Sequence, residues 1–491
     1  MTIGQYTPEE PISSIATALA PAALGIIRVS GKNCIELVSK VFSRPKALLA
    51  AEGNTLVYGW IVENSGLKNE ECRIDEVMLA VYRAPKSFTG EDMVEIFCHG
   101  GPAVVTAIQN LMLKSGFRQA LRGEYTFRAY INGKTDLTKA EAVKEIIDSH
   151  TDVSRSHAAG RLAGSLFDEI DSIKKLIIDT LAAIEVEIEY PEDEETIADS
   201  FDREDIEKAI ERLQSLVDSW KGEKLYQDGA RVVLAGKTNA GKSSLFNAIL
   251  KEERAIVSDI EGTTRDWLES WASINGIPVR IFDTAGLRET DDVIEARGVE
   301  LTHNLAEDAD VVLYLVDSSV GITADDEKFI KECKIPLILV MNKADKTGAE
   351  SLPLASSFRR KLGKFAFGER PAPSSGDSPR NAPDEKIETI HISAKNGSGL
   401  SELFAAITKV LTAGISTDRE QAGLGSARQK EAVTEALECV KHALISADDN
   451  YTLDAVVQDL EDALDALSEV TGDITPDDVL SSIFENFCVG K

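Results

Sequence analysis

The sequence predicts a multidomain chain of mixed α+β and α/β class. An N-terminal α+β domain comes first, then a discontinuous helical domain, with an α/β domain inserted between its two segments. Three observations predict this. Short β-like runs and turn residues alternate over 1–125. Helical periodicity fills 126–225 and returns over 413–491. Strands and helices alternate over 226–412.

Length and composition bound the reading. A chain of 491 residues has room for about three domains, and 43% hydrophobic residues suffice for ordinary cores. No apolar run approaches the roughly 20 residues that span a bilayer. The N-terminus lacks a basic segment followed by an apolar stretch, so the protein is read as cytoplasmic, without membrane contact. The six cysteines are scattered and form no Cys-x-x-Cys pair, which gives no support to zinc or dithiol chemistry. A net charge of −30 makes the chain a poor general nucleic-acid binder. Any RNA contact must use a local basic patch or come through a partner.

In the first segment, Gly25–Ser30, Thr55–Val62 and Asp75–Tyr82 read as strands, with helices at 32–42 and 102–115. Next, Leu137, Ala140, Val143 and Ile146 recur at helical spacing, as do Ile170, Ile173, Ile177 and Ile184. The acidic run from Glu185 to Glu195 reads as a solvated helix face and loop. In the inserted segment, Arg231–Ala235, Val279–Phe282, Val311–Val316 and Pro336–Met341 are short, apolar and β-rich, as buried parallel strands require. The insertion near 346–388 is basic, then rich in Pro, Ser and Gly. It cannot bury a core and reads as a mobile surface loop, with a basic RNA-contacting finger as the alternative. At the C-terminus, Leu453, Val456, Leu460, Ala463 and Leu467 restore the helical period.

Five motifs stand in order within the inserted segment. Residues 236–243, Gly-Lys-Thr-Asn-Ala-Gly-Lys-Ser, follow a strand and open a helix, the context a phosphate-binding loop requires. Gly236 and Gly241 permit tight turns, so successive N–H groups, including that of Ala240, can wrap a β-phosphate. The helix N-terminus at Ser244 adds favourable partial charge. Lys242 can place its ammonium between the β- and γ-phosphates, and Ser243 can ligate magnesium. In Gly262-Thr-Thr-Arg-Asp266, Thr264 can complete the magnesium shell when a γ-phosphate is present, which makes this segment a switch. In Asp283-Thr284-Ala285-Gly286, Asp283 can hold magnesium through water and the Gly286 N–H can sense the γ-phosphate. In Asn342-Lys343-Ala344-Asp345, the Asp345 carboxylate can accept two N–H bonds from guanine, a pair that adenine lacks. Asn342 braces that loop and Lys343 can lie along the base plane. In Ser393-Ala394-Lys395, the Ala394 N–H can meet the guanine oxygen. Together these motifs predict a Ras-like P-loop GTPase domain. The position that often carries a water-orienting glutamine is Leu287, so another group must orient the water. The nearby acids Glu289, Asp291, Asp292 and Glu295 are the candidates.

The whole chain resembles the MnmE (TrmE) family of bacterial tRNA-modification GTPases. The resemblance is carried by the tail Phe487-Cys-Val-Gly-Lys491 and by Gly25-Ile-Ile-Arg-Val-Ser-Gly31. Ser87-Phe-Thr-Gly-Glu-Asp92 and Asn132-Gly-Lys-Thr-Asp-Leu-Thr-Lys-Ala-Glu-Ala142 carry it too. It implies that, with an FAD-containing MnmG-family partner, the protein adds an aminomethyl or carboxymethylaminomethyl group to C5 of the wobble uridine of certain tRNAs. It also implies a homodimer and a heterotetramer with that partner. A 5,10-methylene form of tetrahydrofolate is the implied one-carbon donor, bound by the N-terminal domain through Arg28, Glu95, Lys134 and Lys491. Potassium-dependent hydrolysis is implied as well, with Asn239, Ser258, Ile260 and Thr263 as potassium ligands. Asp259, Glu261, Gly262 and Thr263 share the ion-cage loop beside the nucleotide, and Glu295 matches the water-orienting glutamate. Cys488 matches a cysteine important for modification, in a role either nucleophilic or structural.

The chain departs from the family pattern at four places. Residues 21–25 lack the usual extra glycines, Arg122 stands where proline is usual, Ser258 replaces a threonine, and the insertion 346–388 is long. A ribosome-assembly or regulatory GTPase switch would share the five nucleotide motifs. The acidic balance and the tail favour the tRNA-modifying reading over it.

Overall fold

The computed structural model is described for residues 10–64, 71–189, 201–252, 268–283, 309–346, 388–414, 422–448, 453–487 and 489–490. The chain divides into two compact units. One comprises Met1–Lys144, Gly160–Val217 and Leu424–Lys491, the other Glu145–Ala159 and Asp218–Gly423.

The first unit opens with a six-stranded sheet. Its strands are β1 (Ile12–Ile15), β2 (Ala22–Ser30), β3 (Thr55–Asn64), β4 (Glu71–Tyr82), β5 (Met93–Gly100) and β6 (Arg118–Gln119), in the order β3-β4-β5-β2-β1-β6. All pairings are antiparallel except β1 with β6. Strand alternation sends Ile27, Val29, Val77, Leu79, Val94 and Ile96 to one face. There they pack against α1 (Cys34–Ser39), α2 (Pro45–Leu49) and α3 (Pro102–Lys114), whose Ile35, Val38, Leu48, Ile108 and Met112 are buried. The other face of the sheet carries Leu24 on β2, Leu56 and Tyr58 on β3, and Met78 on β4, all exposed.

Helices complete this unit: α4 (Glu124–Ile131), α5 (Leu137–Asp148), α6 (Asp152–Ala163), α7 (Ser165–Glu189) and α8 (Arg203–Asp228), of which α5, α6 and α8 run on into the second. Ile170, Ile173, Ile177 and Ile184 form the buried stripe of α7. The C-terminal helices are separated from these in sequence by the inserted segment but pack in the same unit. They are α12 (Ala427–Asp448), α13 (Leu453–Thr471) and α14 (Asp477–Glu485). Phe484 and Phe487 enter a cluster with Phe127, Leu137 and Ala140, and the Phe127 and Phe484 rings meet edge to face at 5.2 Å. Glu141 on α5 accepts from Arg428 at 2.8 Å and from Gln429 at 2.5 Å, both on α12.

A buried ionic network fixes the loop that carries residues 87–92. Arg128 is fully buried. It pairs with Glu91 at 3.1 Å and Glu124 at 2.9 Å, and donates to the Glu10 carbonyl at 2.9 Å. Burial alone would raise the Glu124 carboxyl. Hydrogen bonds from Arg118, the Leu121 N–H and Arg128 outweigh it and hold the carboxyl below its usual range. The Glu124 bonds therefore stand fully formed above the ordinary carboxylate pKa of about 4.3 and fade only at lower pH.

The second unit holds the other sheet. Its strands are β7 (Ala230–Gly236), β8 (Leu268–Ile274), β9 (Ile277–Asp283), β10 (Val311–Asp317), β11 (Leu337–Asn342) and β12 (Thr389–His391), in the order β12-β11-β10-β7-β9-β8. Only β8 is antiparallel to its neighbour. Among the described residues the helices following these strands are α9 (Lys242–Glu252), α10 (Ala324–Glu332) and α11 (Leu400–Leu411). Both faces of the central strands are buried, which is why they read as continuous apolar runs.

Removing one partner of a fully buried pair leaves an uncompensated charge. Arg128→Ala should destabilise the first unit by about 3–5 kcal/mol, read by urea unfolding. An unchanged midpoint would show that the network carries no stability.

Candidate functional site

The site forms at the C-terminal ends of the parallel strands, where β7 turns into α9. Strand β7 ends at Gly236 with φ +132°. A Cβ there would lie 2.3 Å from the Leu315 carbonyl oxygen, so the approach of β10 admits only glycine. The chain then curls through Asn239, whose φ is +66°, and Gly241, whose φ is +99°. A Cβ on Gly241 would fall 2.2 Å from Asn342 Nδ2. Helix α9 starts immediately, with Leu245 N–H donating to the Gly241 carbonyl at 2.9 Å. Exposed Ser243 and Ser244 stand at its N-terminus.

Lys242 lies over this loop. Its Nζ donates to the carbonyls of Gly236 at 2.7 Å and Lys237 at 3.1 Å. Burial lowers its pKa and nearby Asp283 opposes that shift. Asp283 ends β9, almost fully buried, in register with Leu234 of β7.

Asn342 ends β11 and is 2% exposed. Its Nδ2 donates to the Ala240 carbonyl at 2.9 Å. Its Oδ1 accepts from Lys343 N–H at 2.8 Å and Ala394 N–H at 3.1 Å. Lys343, with φ +65°, sends Nζ to the Asn239 carbonyl at 2.7 Å and to Asp317 at 2.6 Å. Burial would raise the Asp317 carboxyl. Lys343 and two bonds from Ser319 overcome it and bring it to about 2. Asp345 is exposed and accepts from the buried Ser393 hydroxyl at 2.7 Å, which holds its carboxyl below the usual range. Lys395, which follows Ser393-Ala394, is exposed.

The structure thus brings Gly236, Asn239, Ala240, Gly241, Lys242, Asn342, Lys343, Asp345, Ser393 and Ala394 into one bonded or close-contact set. Ala394 N–H, expected to face a guanine oxygen, here bonds Asn342. Ser258, Asp259, Ile260, Glu261, Gly262, Thr263, Thr264, Thr284, Ala285, Gly286, Glu295, Cys488 and Lys491 lie outside the described residues. So do the acids Glu289, Asp291 and Asp292 and most of the 346–388 insertion. Asp317 was missed by sequence reasoning. Its signal was an aspartate closing the apolar run Val311–Val316, the same position that Asp283 occupies on β9.

The Ser243 hydroxyl and the Asp283 carboxylate are hard oxygen donors that fit magnesium. Asn239, the first of the implied potassium ligands, is exposed at the left-handed turn of the phosphate-binding loop.

In the first unit, Arg28 on β2 and Glu95 on β5 are direct cross-strand partners. Arg28 donates to Glu95 through Nε at 2.9 Å and Nη2 at 2.7 Å, and through Nη1 to the Gly490 carbonyl of the tail at 3.1 Å. Its guanidinium lies 5.5 Å from the Phe88 ring centroid and 5.6 Å from that of Tyr125. Lys134 donates to the Pro85 carbonyl at 3.1 Å, so Arg28 and Lys134 abut the same loop. Phe88 and Tyr125 are aromatic walls that sequence reasoning did not single out.

Asp345 is the carboxylate expected to distinguish bases, and its bond from Ser393 holds it ionised at the site. Asp345→Asn should weaken guanosine diphosphate binding by roughly a hundredfold or more and favour xanthosine diphosphate, read by fluorescence titration. Unchanged guanine affinity would contradict the assignment.

Comparison with known proteins places the chain. The family description "MnmE helical domain" matches residues 137–488, and "GTP-binding protein TrmE N-terminus" matches residues 11–134. Proteins named tRNA modification GTPase MnmE match over the full length. The one from Treponema denticola is 48% identical, covering 100% of both chains. The one from Treponema pallidum (strain Nichols) is 41% identical, again over 100% of both. That of Carboxydothermus hydrogenoformans is 39% identical over 98% of this chain and 100% of its own. With its N-terminal and helical parts both matched and its length shared with these relatives, the chain belongs to the MnmE family.

Proposed function

We propose that this protein is a potassium-dependent GTP hydrolase that acts with an FAD-containing MnmG-family partner. Together they add an aminomethyl or carboxymethylaminomethyl group to C5 of the wobble uridine of certain tRNAs. The reading that it is a GTP-hydrolysing, tRNA-modifying enzyme is carried by one observation. A phosphate loop, a buried asparagine and an exposed aspartate converge at one sheet end, in a chain matched end to end by MnmE proteins.

The chain's own residues define the steps. The N–H groups of 237–242 and the α9 N-terminus receive phosphate oxygens. Lys242 exchanges its two carbonyl partners for phosphate oxygens. Asp345 fixes the base, with Ser393 holding its carboxylate in place. Glu295 orients the attacking water in place of the glutamine that Leu287 replaces. Ser243, Thr264 and Asp283 would hold magnesium, which would supply positive charge to the phosphates. Asn239, Ser258, Ile260 and Thr263 would hold potassium, which would supply positive charge where other GTPases use an arginine.

The N-terminal region 1–125 is proposed as the folate domain, 126–225 with 413–491 as the helical domain, and 226–412 as the nucleotide domain. Arg28 and Lys134, with Lys491 at the tail, suit a folate's glutamate carboxylates, and Glu95 suits its pterin donors. Bound there, the folate supplies the one-carbon unit. The exposed face carrying Leu24, Leu56, Tyr58 and Met78 supports homodimer formation. Among the described residues no helix is long and apolar enough to cross a membrane. A cytoplasmic location follows from the tRNA substrate.

The test joins kinetics to nucleoside chemistry. The protein should hydrolyse GTP much faster in potassium chloride than in sodium chloride at equal ionic strength. Glu295→Ala should bind GTP yet lose that turnover, and a strain carrying it should lack the modified wobble uridine by mass analysis. Equal rates in both salts would remove the potassium reading. Unchanged nucleosides in a deletion strain would remove tRNA modification and favour a ribosome-assembly or regulatory switch.

A further inference from the structure

The second unit contains a cavity of about 660 Å³ far from the phosphate loop. It lies at the opposite end of β7. Arg231 borders it and Gly236 opens the nucleotide site, five residues away, or about 17 Å along a strand. Its walls are the last turns of α8, the starts of β7 and β10, the middle of β9 and the end of α11.

The chemistry of this cavity is unlike that of the chain around it. The whole protein carries a net charge of −30. The cavity is lined by four cations, Lys221, Lys224, Arg231 and Arg280, against two carboxylates, Asp228 and Asp310. One of these, Asp310, accepts the Arg231 backbone N–H at 2.7 Å. Lys221 and Lys224 are exposed and three residues apart on α8, which puts them on one face. Arg280 is oriented by Glu269, which accepts its Nε at 2.8 Å, and lies 5.3 Å from the Trp271 ring centroid. Half-buried Trp220 adds an aromatic surface beside the lysines.

We propose that this cavity binds a single-stranded stretch of the tRNA substrate, with the lysines and arginines on phosphates and Trp220 stacked on a base. This rests on the tRNA-modifying reading above and adds to it where this chain itself touches RNA. Two features favour an RNA strand over a free anion. Cations and an aromatic ring share one recess, the pairing that holds unstacked nucleotides. The positive lining is also set in an acidic chain, so the recess draws a polyanion that the chain's net charge otherwise repels.

The test uses the full-length protein and fluorescein-labelled unmodified tRNA, with anisotropy titrated at several salt concentrations. The double variant Lys221→Ala/Lys224→Ala should bind more weakly. Its log–log salt slope should be shallower by about 1.4, from roughly 0.7 for each lost single-strand phosphate contact. Trp220→Ala should bind roughly tenfold more weakly with little change of slope. GTP hydrolysis in the lysine variant should equal that of the parent, which shows that it folds. If its affinity and slope equal the parent's, or if the parent binds no tRNA, the inference is overturned. Weakening by free guanosine or inorganic triphosphate alone, with tRNA binding unaffected by the variants, would also overturn it and assign the recess to a small anion. Wobble-nucleoside analysis of the deletion strain judges the tRNA-modifying reading separately, so the two can fail independently.

Discussion

The nucleotide site depends on the side-chain amide of Asn342. Three segments distant in sequence meet on it: the phosphate loop through the Ala240 carbonyl, its own turn through Lys343 N–H, and the third loop through Ala394 N–H. The amide is almost fully buried, so each of these bonds replaces water that cannot reach it. Each is worth about 1 kcal/mol when made, and leaving a buried partner unmade costs about 1–3 kcal/mol. The same amide excludes any side chain at Gly241. Lys343 reinforces it by clamping the Asn239 carbonyl to Asp317. Phosphate and base recognition are therefore parts of one rigid assembly.

The first unit solves a parallel problem with charge. Arg128 is buried beneath the 87–92 loop and held by Glu91 and Glu124. That places Phe88 against Arg28, whose guanidinium also reaches Glu95 and the Gly490 carbonyl of the tail. The C-terminus is fastened at this point by Phe484 and Phe487 in their aromatic cluster. A ligand carboxylate arriving at Arg28 would compete with Glu95, so binding there would be read as a rearranged ion pair. Arg28 thus joins β2, β5 and the tail at one point, through Glu95 and the Gly490 carbonyl.

Much of this was legible in the sequence, for identifiable reasons. The runs Arg231–Ala235, Val279–Phe282, Val311–Val316 and Pro336–Met341 became β7, β9, β10 and β11, because strands buried on both faces leave continuous apolar segments. Strand β8 was not anticipated. Its residues Leu268–Ile274 mix polar and apolar types, as an antiparallel edge strand does. The phosphate loop was legible because its glycines and lysine are contiguous. The bond from Asn342 to Ala240 was not, since 102 residues separate its partners. The cluster of Phe127, Leu137 and Phe484 ties the region just after residue 125 to the C-terminal helices. Such long-range contacts leave no local pattern. The basic recess was hidden in the same way, because Lys221 and Arg280 come together only through the order of the sheet.

The central claim is that one buried amide makes the phosphate loop and the base loop a single binding unit. Calorimetric titration of Asn342→Ala with guanosine diphosphate tests it most directly, with circular dichroism as the check on folding. The account predicts a folded protein whose guanosine diphosphate affinity is largely lost. A folded variant with the parent's affinity would show that the two loops hold their places without Asn342, and would contradict the claim.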